Sequence, residues 1–315
     1  MHYDELERLY ELPLFELLQK ARTVHEQHWP AREVQLCTLL SIKTGKCPEN
    51  CSYCSQSVHS DTALEATPLM DVEEVRRSAR AARESGATRF CMGAGWRQPK
   101  DDAEFEQVCD MIREVRALGM EACVTLGMLT AAQAERMAEA GLTSYNHNID
   151  TSPEFYDQVV TTRTFEDRLE TLRVVSDAGI KTCAGGILGL GEKVMDRLRM
   201  IEVLSSLDPQ PESVPINRLV PIPGTPLADQ PRVDDLEVAR IVALARLAMP
   251  RSRVRLSAGR EDMSEEAQAL CFFAGANSIF YGSQLLTTDN PAEDADLAML
   301  ARLGLEPSRE LTPAT

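Results

Sequence analysis

The residues best suited to chemistry lie in one short stretch, Cys47-Pro48-Glu49-Asn50-Cys51-Ser52-Tyr53-Cys54. Its three cysteines follow the spacing C-x3-C-x2-C, with an aromatic residue just before the third. Thiolates are soft ligands that suit iron–sulfur clusters, zinc and Cu(I). A structural zinc site or an ordinary [4Fe–4S] cluster takes four protein ligands. Because only three lie here, the stretch predicts a [4Fe–4S] cluster with one iron left open to a small molecule.

A second set of candidate ligands is spread over four predicted strands. Its members are Cys91, Cys123, Cys183 and Arg255. In a closed barrel such side chains can converge on one interior point. Any single cysteine is more readily explained as a small buried hydrophobe, but a buried arginine needs anionic partners. The set is therefore a candidate second site, and packing is predicted for the other three cysteines, Cys37, Cys109 and Cys271.

Polar residues also follow two predicted strands. Asn148 and Asp150 lie two apart, so an extended chain presents them on one face, where they suit ribose hydroxyls or a urea-like group. His147 is then predicted to face the other way, as a satisfied structural histidine. Asn217 either points an amide into the same region or forms a turn before a proline-rich loop. The glycine-rich run 185–191 either lets the backbone approach a ligand or forms a strand-to-helix turn.

The elements that must position these residues alternate between strands and helices. Strands are predicted at 33–42, 88–95, 120–127, 142–149, 180–188, 212–220, 253–257 and 278–281. Helices are predicted at 72–84, 102–118, 131–140, 165–178, 192–207, 233–249, 264–273 and 292–303. This alternation indicates a parallel sheet. Eight units favour an α/β fold with a (β/α)8 TIM-type barrel, and a doubly wound sheet is the alternative.

The length supports one large domain. The chain has 315 residues, of which 43% are hydrophobic, and a barrel of this type needs about 250 residues. We expect an N-terminal helical extension over 1–32, the barrel over 33–305 and a flexible tail over 306–315. Pro13 is predicted to separate two short helices in the extension, which form either a surface pair, the favoured interpretation, or a cap or oligomer contact.

Charge and composition exclude several classes of protein. The formal net charge is −16, with no run of lysine or arginine, which argues against binding to nucleic acid or to an anionic membrane surface. The chain has no signal-type apolar region and no stretch long enough to span a bilayer, so we expect a cytoplasmic protein. Nine cysteines in a cytosolic chain are not expected to form a disulfide framework.

These motifs together resemble a known family. The cysteine loop, with Tyr53 before its last cysteine, resembles the radical S-adenosylmethionine (SAM) superfamily. Within it, the chain is similar to the biotin synthase family over the stretches 43–57, 89–96, 145–156, 161–164, 183–192, 212–228, 254–261 and 274–282. Ser283-Gln284 departs from that pattern, since many relatives carry an acidic residue and a lysine there.

The resemblance implies a sulfurtransferase that converts dethiobiotin to biotin. A 5′-deoxyadenosyl radical would abstract hydrogen at C9 and then at C6, and an auxiliary [2Fe–2S] cluster would supply the sulfur. The implied cofactors are that cluster, a [4Fe–4S] cluster and SAM. The implied partners are a second copy of the chain in a homodimer and an electron donor such as flavodoxin.

The resemblance also implies roles for individual residues. Cys47, Cys51 and Cys54 would hold the [4Fe–4S] cluster, and Cys91, Cys123, Cys183 and Arg255 the [2Fe–2S] cluster. SAM would contact Tyr53, Asn148, Asp150, Arg168 and Ile187. Dethiobiotin would contact Asn148, Asn217, Thr287 and Thr288. Two alternatives stay open: another radical SAM enzyme with a similar barrel, which need not keep the second set, and a non-catalytic zinc or electron-transfer protein.

Overall fold

Eight parallel strands close into a barrel. The computed structural model describes residues 1–282 and 285–309, so Ser283-Gln284 and 310–315 lie outside the described residues. The barrel strands are β1 (Glu33–Lys43), β2 (Arg89–Ala94), β3 (Glu121–Thr125), β4 (Ser144–Asn146), β5 (Lys181–Cys183), β7 (Ser213–Arg218), β8 (Arg253–Leu256) and β9 (Ser278–Phe280). Strand β1 pairs with both β2 and β9. This closure confirms the predicted (β/α)8 barrel and excludes the doubly wound sheet.

Helices surround the barrel. They are α3 (Val72–Glu84), α4 (Ala103–Ala117), α5 (Ala131–Glu139), α6 (Phe165–Asp177), α7 (Val194–Ser206), α8 (Asp235–Ala248), α9 (Glu265–Phe273) and α10 (Glu293–Arg302). Side chains alternate along each strand. Phe90 and Val124 therefore join the core between strands and helices, whereas Cys91 and Cys123 face the barrel interior. The same alternation places the candidate ligands inside.

The predicted fifth strand is broken in two. After β5, a short β6 (Gly186–Leu188) pairs with β7. A Cβ atom on Gly185 would lie 2.0 Å from the Pro215 carbonyl oxygen, and one on Gly186 would lie 2.6 Å from the Asp150 carbonyl oxygen. Glycine is thus required because backbones approach each other closely. These two glycines therefore admit the neighbouring backbone, which neither the ligand nor the turn interpretation predicted.

The two ends of the described chain pack on the barrel. Pro13 lies between α1 (Tyr3–Tyr10) and α2 (Leu14–His28), as predicted. These helices pack on the outer helices α7, α8 and α9, and the Trp29 indole N–H donates to the Pro250 carbonyl at 3.0 Å. Within one chain the extension is therefore a helix pair on the outside of the barrel, and a role as an oligomer contact stays open. At the other end β10 (Glu306–Pro307) pairs with β1, so the tail predicted from 306 begins too early.

A helix that crosses a membrane must be long and apolar enough to span the hydrocarbon core of the bilayer. None of the helices within residues 1–282 and 285–309 is long and apolar enough to do so.

Candidate active site

One cavity of about 310 Å³ lies where the barrel strands end at their carboxyl side. Nearly all the residues predicted from the sequence line it. They are Cys47, Cys51, Tyr53, Cys54, Cys91, Cys123, Asn148, Asp150, Arg168, Ile187, Asn217, Arg255, Thr287 and Thr288. Cys183, the remaining predicted residue, is fully buried beside the guanidinium of Arg255. The fold thus brings both predicted ligand sets to one place.

The cysteine loop is held by a segment more than a hundred residues away. Asn50 Oδ1 accepts the backbone N–H groups of Thr161 and Thr162 at 2.9 and 3.2 Å. The buried Glu49 carboxylate accepts the Thr162 hydroxyl, and its Oε1 lies 3.4 Å from Arg97 Nε. These contacts fix the loop backbone before any ligand binds. We did not predict this clamp, although 161–164 was among the family-like stretches.

The three thiols of the cysteine loop have raised pKa values and must lose their protons when a metal binds. Burial raises the pKa of Cys54 to about 12 and also raises the pKa values of Cys47 and Cys51. The thiols are therefore protonated at neutral pH until a metal binds. No three His, Cys, Asp or Glu side chains of the described chain are grouped around a point for one metal ion. A cluster has no such requirement, since its cysteines bind different iron atoms.

A buried ion pair joins the cysteine loop to helix α6. Asp150 pairs with Arg168 and accepts the Tyr53 hydroxyl at 3.1 Å, while Arg168 Nε donates to the Tyr156 hydroxyl at 2.9 Å. Burial opposes the charge of Arg168, but the Asp150 carboxylate outweighs it and raises the pKa of the guanidinium. Asp150 has φ of +67°, a strained backbone conformation for a residue other than glycine. Its surroundings therefore hold the carboxylate at a fixed point on the cavity wall.

His147 faces away from Asn148, as predicted, but its ring is not satisfied as predicted. Its ring lies 6.3 Å from the ring of Tyr145, two residues earlier, whereas the side chains of Asn146 and Asn148 hydrogen-bond to each other at 3.3 Å on the opposite face. Its Nε2 is buried and has no hydrogen-bond partner among the described residues. Burial holds the pKa of the imidazole well below its usual value. His147 is therefore neutral.

The two predicted amides tie strand ends together. Asn148 Oδ1 accepts the Gly185 N–H at 3.2 Å. Asn217 Nδ2 donates to the Gly186 carbonyl at 2.9 Å, and its Oδ1 accepts the Ala258 N–H at 3.2 Å. Asn217 therefore bridges neighbouring strands and still lines the cavity. This supports the cavity-facing interpretation of Asn217 over the turn.

The second ligand set lies deeper in the barrel. Cys91 pairs in register with Cys123, and Arg255 Nη1 lies 3.8 Å from Cys183 Sγ. Asn146, which we did not predict, donates to Cys183 Sγ at 3.3 Å. Arg255 is 1% exposed, yet its Nη2 has no hydrogen-bond partner among the described residues. Three thiols near a buried guanidinium whose Nη2 is unsatisfied fit an anionic, thiolate-ligated group.

Cys37 lies next to the second ligand set. It was assigned to packing, as were Cys109 and Cys271. All three are buried, but only Cys37 forms a cluster with Cys91 and Cys123. The sequence carried a signal for this position, because Cys37 and Leu39 share one face of β1 and Leu39 lines the cavity.

A short segment after β9 lies over the cavity. Thr287 Oγ1 accepts the Ser55 hydroxyl at 2.9 Å, which ties the segment to the cysteine loop. Within it, the Leu285 N–H donates to the Thr288 carbonyl at 2.9 Å. A Cβ atom on Gly93 would lie 2.6 Å from Leu286 Cδ2. The predicted threonines are thus held close to the cysteine loop and to the end of β2.

Two family models match the chain. The Radical SAM superfamily model matches residues 41–204, and the Biotin and Thiamin Synthesis associated domain model matches residues 215–306. A biotin synthase of Agrobacterium fabrum is 59% identical over 96% of this chain and 89% of its own length. One from Gloeobacter violaceus is 58% identical over 96% of this chain and 95% of its own length.

The chain belongs to the biotin synthase family. It is therefore a radical SAM enzyme, and SAM and iron–sulfur clusters are its cofactors. This excludes the alternative of a non-catalytic zinc or electron-transfer protein.

Solved structures support the fold of this biotin synthase family member. Methylornithine synthase superposes with a TM-score of 0.81 at 20% identity, covering 98% of this chain and 94% of that chain. The FeFe-hydrogenase maturase HydG from Carboxydothermus hydrogenoformans superposes with a TM-score of 0.84 at 21% identity, covering 99% of this chain and 77% of that chain. At such identities the likeness concerns the barrel alone.

Proposed function

We propose that the chain inserts sulfur into dethiobiotin to give biotin. The observation that carries this proposal is the meeting of two cysteine sets at one cavity, the deeper set grouped around the unsatisfied guanidinium of Arg255. A radical SAM enzyme of another kind needs only the first set. Relatives that are named biotin synthase support the same function.

The two sets are proposed to hold different clusters. Cys47, Cys51 and Cys54 hold a [4Fe–4S] cluster, and the residues around Arg255 hold a [2Fe–2S] cluster, namely Cys91, Cys123, Cys183 and Arg255 itself. When bound and reduced, the first cluster and SAM supply a 5′-deoxyadenosyl radical, and the second cluster supplies sulfur. The thiols at both sites lose their protons on loading.

The other residues bind and orient. Asp150 and Asn148 accept hydrogen bonds from SAM hydroxyl and amino groups, Tyr53 and Arg168 fix the position of Asp150, and Ile187 packs beside the adenine. Their contacts on the cavity wall support these roles. A carboxylate held in one position by two neighbours loses little entropy when a ligand binds.

Substrate binding is assigned to the deeper part of the cavity and to the segment 285–288 that lies over it, here called the cover segment. Asn148 and Asn217 present amide groups to the ureido ring of dethiobiotin, and Thr287 and Thr288 bind its carboxylate tail. The cover segment excludes water from the cavity, which protects a carbon radical from side reactions.

The proposal is tested by an anaerobic assay with dethiobiotin, SAM and a reducing system, with biotin and 5′-deoxyadenosine measured together. Replacing Cys91 and Cys183 by Ala should abolish biotin formation and leave some SAM cleavage. Cys109→Ala is the matched control, because Cys109 is equally buried but lies in α4. Full biotin formation by the double variant would refute the sulfur-donor assignment.

We further propose that the enzyme is a cytoplasmic homodimer that receives electrons from a flavodoxin-like donor. Support for this comes from the family resemblance. Sedimentation velocity and reduction of the loaded enzyme by purified flavodoxin test the two parts separately.

A further inference from the structure

Cys37 faces the barrel interior. On β1 it shares a face with Gln35 and Leu39. Leu39 lines the cavity, and the Gln35 amide donates to Glu121 Oε2 of β3 at 2.9 Å across the interior. Register places Cys37 opposite Arg89, two residues below the level at which Leu39 pairs with Cys91. The thiol of Cys37 therefore lies just beneath the ligands assigned to the auxiliary cluster.

The contacts of Cys37 differ from those of a packing cysteine. Its Sγ lies 3.5 Å from Ser278 Oγ and 3.5 Å from Gln35 Oε1. The same Ser278 hydroxyl accepts Arg255 Nε at 3.0 Å, so one hydroxyl links the thiol to the guanidinium. Arg255 Nη2 has no hydrogen-bond partner among the described residues although the side chain is 1% exposed. The site thus holds one more thiol than the assigned ligand set uses.

Building on the proposed function, we propose that Cys37 is a reserve iron ligand of the auxiliary cluster, which replaces Arg255 when the guanidine leaves the iron. The iron–nitrogen bond to Arg255 breaks and an iron–sulfur bond to Cys37 forms. The thiol proton passes to the released guanidine, which becomes guanidinium. No electron is exchanged with a redox partner.

The chemistry favours such an exchange. A thiolate is a softer ligand for iron than a guanidine nitrogen, and a guanidine gives up its high basicity when it binds a metal. Arg255 therefore becomes a better leaving group as soon as a proton is supplied. A cluster that gives up sulfur during turnover loses internal bonds, and a fourth protein thiol keeps its iron bound at that stage.

The test isolates the auxiliary cluster in the full-length chain. Cys47, Cys51 and Cys54 are replaced together by Ala so that only the deeper site loads, and iron and sulfide are added anaerobically. Bound iron, acid-labile sulfide and the resonance Raman spectrum are measured. The variants are Arg255→Ala, Cys37→Ser and the two combined, and circular dichroism of the unloaded chains checks folding.

We expect Arg255→Ala to keep most of its iron, with iron–sulfur stretching bands shifted by the added thiolate. Cys37→Ser alone should match the parent, and Arg255→Ala/Cys37→Ser should lose most of its iron. Arg255→Ala/Cys109→Ser is the control and should resemble Arg255→Ala. Equal iron in the combined variant and Arg255→Ala, or full loss from Arg255→Ala alone, would overturn the role of Cys37. If the parent itself binds no iron, the proposed function fails first, and this inference fails with it.

Discussion

At the scale of the residue, the Asp150–Arg168 pair combines a buried ion pair with a proposed role in SAM binding. Both side chains are almost completely buried, so neither charge is compensated by water. Removal of one partner from a buried pair costs about 3–5 kcal/mol, whereas replacement of both by apolar groups is often neutral. Single and double variants of the pair can therefore separate its effect on the free energy of unfolding from its effect on SAM binding.

We expect Asp150→Asn to lower the free energy of unfolding by about 3 kcal/mol or more, because it leaves the Arg168 charge buried without its partner. Asp150→Asn/Arg168→Met should recover most of this loss. Neither variant should bind SAM well, since both lack the carboxylate. Urea unfolding measures the first effect and equilibrium SAM binding to the cluster-loaded chain the second. Recovery of SAM binding in the double variant would contradict the assigned role of Asp150.

Residue types and strand ends were sufficient to locate most of the site. The rule that chemistry gathers at strand carboxyl ends identified Asn148, Asp150 and Asn217 without any structure. For His147 the alternation of faces held, but the hydrogen-bond partner expected for its ring Nε2 is absent among the described residues. The clamp between Asn50 and 161–162 was missed because a contact across that length of chain leaves no periodic signal.

At the scale of the element, the broken fifth strand shows what periodicity cannot predict. The glycines between β5 and β6 were expected to serve a turn or a ligand, yet they admit the neighbouring backbone. A steric requirement of this kind depends on the adjacent strand, which only the closed barrel supplies. The helices, whose signals are local, were predicted to within two or three residues at each end.

Gly185→Ala should be strongly destabilising. Its Cβ would lie 2.0 Å from a backbone oxygen of β7, which cannot rotate away as a side chain can. Gly179→Ala is the control, because Gly179 has nothing within 4 Å and is constrained only by its φ of +74°, at a cost of about 1–2 kcal/mol. Thermal unfolding should rank Gly185→Ala well below Gly179→Ala. The reverse order would show that β6 and β7 separate easily.

Helix α2 carries a pH-dependent contribution to stability. His25 is buried, and that burial, reinforced by Arg246, lowers its pKa to about 3, against a usual value of about 6.5. Because the folded pKa is depressed, the stabilisation is present above about pH 6.5 and is lost as the pH falls towards 3.

Between pH 7 and pH 5 we expect the wild type to lose up to about 2 kcal/mol more unfolding free energy than His25→Gln. Urea unfolding of both chains at the two pH values measures the difference, and carboxylate titration cancels because it is common to both. Identical pH dependence in the two chains would mean that His25 is protonated in the folded state without cost.

At the scale of the whole molecule, the barrel interior contains buried polar atoms that have no hydrogen-bond partner among the described residues. Arg255 Nη2 is such an atom. Each such atom costs about 1–3 kcal/mol when left unsatisfied. The unloaded barrel is therefore less stable than its closed topology alone would make it, and a ligand that satisfies Arg255 recovers part of that cost.

Loading with clusters should therefore raise the unfolding temperature, because a group that binds only the folded chain stabilises it. We expect a rise of several degrees, about 2–4 °C for each kcal/mol gained in a chain of this size. Cys91→Ala/Cys183→Ala should show a clearly smaller rise, since it cannot load the deeper site. Anaerobic calorimetry of the loaded and unloaded forms measures the rise. Cys109→Ala should keep the full rise, and a full rise in the Cys91/Cys183 variant would place the stabilisation at the cysteine loop alone.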